Sequence, residues 1–143
     1  LRNLGTPVEQ LYGPSRAFVI FTFSGVFGFI VSNMFNIGIT VGASGSIFGL
    51  LGALVYYGKK RGGFIGNSIF RQVGTWALVM FLFGFMMRGV NNYAHAGGFI
   101  GGYVSAAALG FHEIKTETQN HKLLALFCIA ATIFCFILVI LFS

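Results

Sequence analysis

The sequence contains no aspartate and only three glutamates, Glu9, Glu113 and Glu117, so carboxylate chemistry is excluded from almost the whole chain. Charged residues fill 8% of its 143 positions, against roughly 25% in a soluble globular domain. That deficit excludes a water-facing surface over most of the length and places the chain in a bilayer. Cysteine is scarce too. Cys128 and Cys135 lie on one helical run about 10 Å apart along its axis, too far to pair with each other without distortion. Nothing in the sequence calls for a metal or a cofactor. An initiator Met and a signal peptide are also missing, and Leu1-Arg2-Asn3-Leu4 reads as the tail of a helix already under way, so an N-terminal part is expected to precede it.

What is there is apolar and glycine-rich: 56% hydrophobic residues, 21 glycines and 18 phenylalanines. Residues 15–31, 40–57, 69–87 and 123–142 each form an apolar run close to the roughly 20 residues that cross hydrocarbon. A fifth run, 93–111, is richer in glycine and equally free of charge. The fold class is therefore all-α, a polytopic transmembrane helix bundle. The nine basic residues sit mainly in the connectors, so the net charge of +6 orients helices and implies no nucleic-acid partner. Arg2 and Arg16, then Lys59, Lys60, Arg61 and Arg71, then Lys115 and Lys122 share one face, and the opposite face has only Arg88. The crowded face is expected to be cytoplasmic, so the runs beginning at residues 40 and 93 both enter from outside. The polar stretch 112–122 reads as a cytoplasmic linker to the last run.

An ionisable residue inside a span is costly and is a functional candidate by default. Only His95 qualifies; His112 and His121 fall in the linker and read as solvated surface histidines. Around His95, Gly97 with Gly101 and Gly98 with Gly102 form small-xxx-small pairs that permit close helix contact. Gly42, Gly45, Gly49 and Gly52 recur at helical three-four spacing on the other candidate helix, which carries Ser44. Two glycine-lined faces can bring Ser44 and His95, each near the outer end of its helix, to one depth. A serine hydroxyl becomes a nucleophile when a neutral imidazole takes its proton. With no carboxylate at membrane depth, a dyad is the only version this stretch permits. Ser46, two residues on, points roughly 200° away from Ser44. Phe48, one turn beyond Ser44, can stack on the imidazole, and the free backbone N–H groups at the start of the Ser44 helix can serve a developing oxyanion.

Gly42-Ala43-Ser44-Gly45 and Ala94-His95-Ala96-Gly97-Gly98 together resemble the nucleophile and histidine motifs of the rhomboid family of intramembrane serine proteases. Leu4-Gly5-Thr6-Pro7-Val8-Glu9, followed by Gly13, resembles that family's connector after its second helix. The resemblance implies a partial six-helix core over residues 1–111, from the end of helix 2 through helices 3 to 6, a linker over 112–122 and an additional transmembrane helix over 123–143. It implies an endopeptidase whose partners are transmembrane protein substrates in the lipid bilayer, with Ser44 as nucleophile and His95 as general base. Gly42, Gly45 and Phe48 would support the oxyanion and the histidine, and Gly49, Gly98 and Gly102 would pack the helices. The segment 69–87 and the loop 88–92 would form a substrate gate and cap. Family members also draw oxyanion donors from a His and an Asn of their second helix. Those positions would precede Leu1, and Asn3 is too near the cytoplasmic end to replace them, so this stretch alone is expected to be inactive. A bacterial inner membrane, with the site opening outward, is the expected location. A non-catalytic rhomboid relative that binds membrane clients, and a transporter with His95 as proton relay, are the alternatives.

Overall fold

A computed structural model describes residues 2–37, 42–87 and 89–142, with side chains from residue 4 onward. All regular structure among the described residues is helical: α1 (Arg2–Tyr12), α2 (Pro14–Met34), α3 (Ser44–Arg61), α4 (Gly63–Met86), α5 (Asn92–Leu109) and α6 (Gln119–Phe142). The all-α membrane-helix bundle is thus the fold observed. Thr40, the expected start of the second span, and Arg88 lie outside the described residues, as do the side chains of Arg2 and Asn3. The connector expected after the chain start is instead helix α1, which holds Pro7 and Glu9 within it. It ends where Gly13 turns the chain with φ 90°, and Pro14 opens α2 at a position where its missing N–H costs nothing.

The five apolar runs divide into two classes. By length and composition α2, α4 and α6 can cross a membrane, whereas α3 and α5 do not reach that hydropathy. Burial explains the difference. Twelve of the eighteen residues of α3 are enclosed by protein, and α5 turns His95 and four glycines inward, so these helices see little lipid. Only four residues of α4 and three of α6 are buried, so their composition must suit hydrocarbon directly.

The centre of the bundle is the trio α2, α3 and α5. With no hydrophobic drive between helices in lipid, association depends on packing and on close backbone approach. A methyl group built on Gly98 would lie 2.1 Å from the Gly45 carbonyl oxygen, and one on Gly102 would lie 2.0 Å from that of Gly49. Successive contacts of Gly45 with Ala94, Gly49 with Gly98 and Gly52 with Phe99 show α3 and α5 running in the same direction. Helix α2 runs against both and interlocks with α3 through a reciprocal pair: Ser24 fills the space at Gly49, and Ser46 fills the space at Gly25. Phe48, Leu51, Ala53, Leu54 and Tyr57 extend this centre into the apolar core. Tyr12 ties α1 to it by donating a 2.8 Å hydrogen bond to the Ala53 carbonyl.

The basic end of the bundle is more elaborate than a set of orienting charges. Arg16, expected to flank a connector, is the third residue of α2 and is fully buried. Its guanidinium donates to the carbonyls of Gly110 at 3.0 Å and Lys115 at 2.8 Å, and its Nε donates to the Tyr12 carbonyl. It therefore satisfies the exposed carbonyls where α1 and α5 end, with its charge at the favourable pole of each helix. The favour is returned by Glu117, whose carboxylate accepts from the backbone N–H groups of Ser15 at 2.8 Å and Arg16 at 3.1 Å, capping α2 from a hundred residues away. A side chain on Gly13 would strike Glu117. His121 also departs from the expected surface role: it is buried, and its Nδ1 accepts from the Thr118 N–H at the start of α6.

Replacing Gly102 by Ala should destabilise the folded protein by about 1–3 kcal/mol, because backbone lies where the methyl must go. Gly74→Ala, with open space at that position, should be neutral or slightly stabilising; thermal unfolding in detergent micelles compares the two. Arg16→Ala should cost at least about 2 kcal/mol in the same assay, since it strands buried carbonyls, whereas Lys60→Ala, an exposed residue, should change little.

Candidate active site

Ser44 is the first residue of α3 and is half-buried. It follows Gly42, which has φ 110°, a conformation that disfavours any side chain, and Ala43, the N-cap residue. Ala43 offers no side-chain cap to α3, so among the described residues the N–H groups of its first turn keep their donor capacity toward this end of the bundle. Gly45, next in the chain, faces the Ala94 carbonyl: a methyl built on it would sit 3.3 Å from that oxygen. Ser44 and His95 are therefore the chain neighbours of one contacting pair, Gly45 and Ala94, in the α3–α5 seam.

His95 is buried, and its ring lies against Phe48 with centroids 4.3 Å apart and planes inclined by 14°. The stack fixes the plane of the imidazole from one side. Its Nδ1 is buried without a hydrogen-bond partner, so no carboxylate orients the ring. Among the described residues no hydrogen bond joins Ser44 to His95 either. Such contacts often lengthen in a site without substrate. Ser46 points elsewhere, with its hydroxyl against Gly25 of α2. Of the remaining sequence candidates, Gly45, Gly49, Gly98 and Gly102 are brought together in the α3–α5 contact, while Gly42 stands in open space.

Beside the stack, Phe48, His95, Ala96 and Phe99 share an apolar cleft of about 340 Å³ with Gly74, Ala77, Leu78 and Phe81 of α4. Helix α4 is otherwise loosely held to α5, so one wall of the cleft belongs to the least embedded helix of the core. No group of three or more His, Cys, Asp or Glu among the described residues could hold a metal.

Sequence comparison decides the relationship. The model of the rhomboid domain matches residues 1–112. The chain belongs to the rhomboid family. It is 41% identical over 114 residues to the rhomboid protease GluP of Bacillus subtilis, covering 77% of this chain and 22% of that protein. It is 35% identical over 127 residues to RHOMBOID-like protein 2 of Arabidopsis thaliana, covering 83% and 40%. A relative described as inactive, RHOMBOID-like protein 8 of the same plant, is 30% identical over 123 residues, covering 83% and 35%. This rhomboid chain thus spans between about a fifth and two fifths of the length of these relatives. It is an integral membrane protein by family and by its apolar helices.

The sequence missed one residue at this site. Asn91 caps α5, its Oδ1 accepting from the Ala94 N–H at 3.1 Å. The signal was present, because Asn followed by a helical run is an N-cap pattern.

Phe48→Ala should leave the bundle folded but free the imidazole plane. Serine-directed labelling of the full-length protein should then slow by about tenfold, and Phe48→Tyr should label at close to the wild-type rate.

Proposed function

We propose that this chain carries the nucleophile and base of an intramembrane serine endopeptidase that cleaves transmembrane segments of other membrane proteins. The observation that supports this best is the glycine-bedded contact of α3 and α5. It sets Ser44 beside the level of a buried histidine whose ring is already held by Phe48. In the proposed reaction His95 takes the hydroxyl proton as Ser44 Oγ attacks the scissile carbonyl carbon. The N–H of Ser44 receives the developing oxyanion, helped by the positive pole of α3. His95 then returns the proton to the leaving amine as the C–N bond breaks, and water, activated by the same imidazole, releases the acyl group. The stacking ring of Phe48 takes over the orienting duty that a carboxylate has in a triad.

Water reaches Ser44 from the end of the bundle opposite Arg16 and Glu117, which by the positive-inside tendency is the outer side of a bacterial inner membrane. The segment of α4 along the cleft is the proposed gate. The core comprises residues 1–111, joined by the linker 112–122 to an additional membrane helix.

A second reading is a non-catalytic relative that binds membrane clients, favoured by the missing Ser44–His95 hydrogen bond and by the inactive relative. Cleavage of a model transmembrane substrate by the full-length protein in liposomes separates the two. Ser44→Ala and His95→Ala should each reduce cleavage to background, while Ser46→Ala should retain it. Cleavage surviving in either of the first two variants, or none in the wild type, would sink the dyad.

A further inference from the structure

We infer that Asn91 is a positioning residue for His95, fixing the start of α5 against α2 so that the imidazole is presented to Ser44 at a set depth and rotation. This rests on the proposed dyad. Three bonds carry the inference. The Asn91 Oδ1 accepts from the Ala94 N–H, which fixes the side-chain amide orientation. Its Nδ2 accordingly faces outward from α5 and donates to the Ser32 hydroxyl. Its backbone carbonyl accepts from the His95 N–H at 3.2 Å.

Ser32 is itself fully buried near the end of α2. One residue thus closes the first turn of the histidine helix, holds the His95 backbone directly and fastens both to a neighbouring helix. The point of attachment matters because the α2–α5 contact is otherwise built on glycine along most of its length, with the stacked rings of Phe35 and Tyr93 at the same end. Gly97 packs on Gly28 and Val31, and Gly101 packs on Ser24 and Phe27. Apolar packing of this kind brings backbones close but fixes sliding and rotation less sharply than a hydrogen bond does. The Asn91–Ser32 bond is a directional tie at this end, one helical turn before His95. A displacement near 1 Å at a catalytic group can cost about a hundredfold in rate, so a modest loosening here should be visible in turnover.

The two ends of Asn91 can be tested separately. Asn91→Ala removes the cap and the bridge, Ser32→Ala removes the bridge and leaves the cap, and Asn91→Asp keeps a capping oxygen that can also accept from the Ser32 hydroxyl. The full-length protein and these variants should be assayed in liposomes for kcat and KM on a model transmembrane substrate. The rate of Ser44 labelling by a fluorophosphonate and the thermal midpoint should be measured alongside. The expected result is that Asn91→Ala lowers kcat and labelling about tenfold or more with KM within about twofold. Ser32→Ala should fall between it and wild type, and Asn91→Asp should recover most of the rate. Wild-type kcat and labelling in Asn91→Ala would overturn the inference. So would a loss in all three variants that tracks the fall in thermal midpoint, since a stabilising cap alone would do that. If Ser44→Ala still cleaves, it is the dyad reading that fails, whatever Asn91 does.

Discussion

Everything at the candidate site depends on how closely two backbones approach. Helices α3 and α5 meet where Gly98 leaves no room for a methyl against Gly45, and Gly102 leaves none against Gly49. In a bilayer such contact replaces the hydrophobic drive that assembles soluble proteins, and it has a geometric consequence. Two co-directional helices locked at this spacing bring their first turns to one level, so a serine that opens one helix and a histidine in the first turn of the other come to similar depth through backbone packing. The Phe48 ring then holds the imidazole plane, and Asn91 holds the turn that carries it.

The two ends of the bundle are built on opposite principles. At the Arg16 end side chains answer several helix termini: Arg16 serves the carbonyls where α1 and α5 stop, Glu117 serves the N–H groups where α2 begins, and Tyr57 with Arg61 holds Glu113 beside the end of α3. At the Ser44 end, among the described residues, α3 starts with no side-chain cap and the buried His95 Nδ1 has no partner. An unpartnered ring nitrogen beside the first turn of α3 is what the proposed site for an oxyanion and a transferred proton requires.

Much of this was legible in the sequence, for reasons specific to membranes. The scarcity of charge identified the environment, glycine at three-four spacing marked the faces that touch, and the isolation of His95 among apolar residues singled it out. The opposed direction of Ser46 followed from helical periodicity alone. The misses have a common cause. That Glu117 would cap α2, that Arg16 would be buried, and that His121 would turn inward depend on partners about a hundred residues away or on the path of an irregular linker, and no local pattern encodes these. The stretch Leu4 to Glu9 reads as a connector by family resemblance; in the structure it is helical although Gly5 and Pro7 weaken a helix on propensity, because Val8 and Tyr12 pack into the core.

The measurement that tests the central claim most directly is the site of covalent reaction with a fluorophosphonate in the full-length, membrane-embedded protein, located by mass spectrometry of the labelled peptide. The account predicts a phosphonyl adduct on Ser44 that disappears in His95→Ala. An adduct on any other residue, or labelling of Ser44 that is indifferent to the loss of His95, would contradict it.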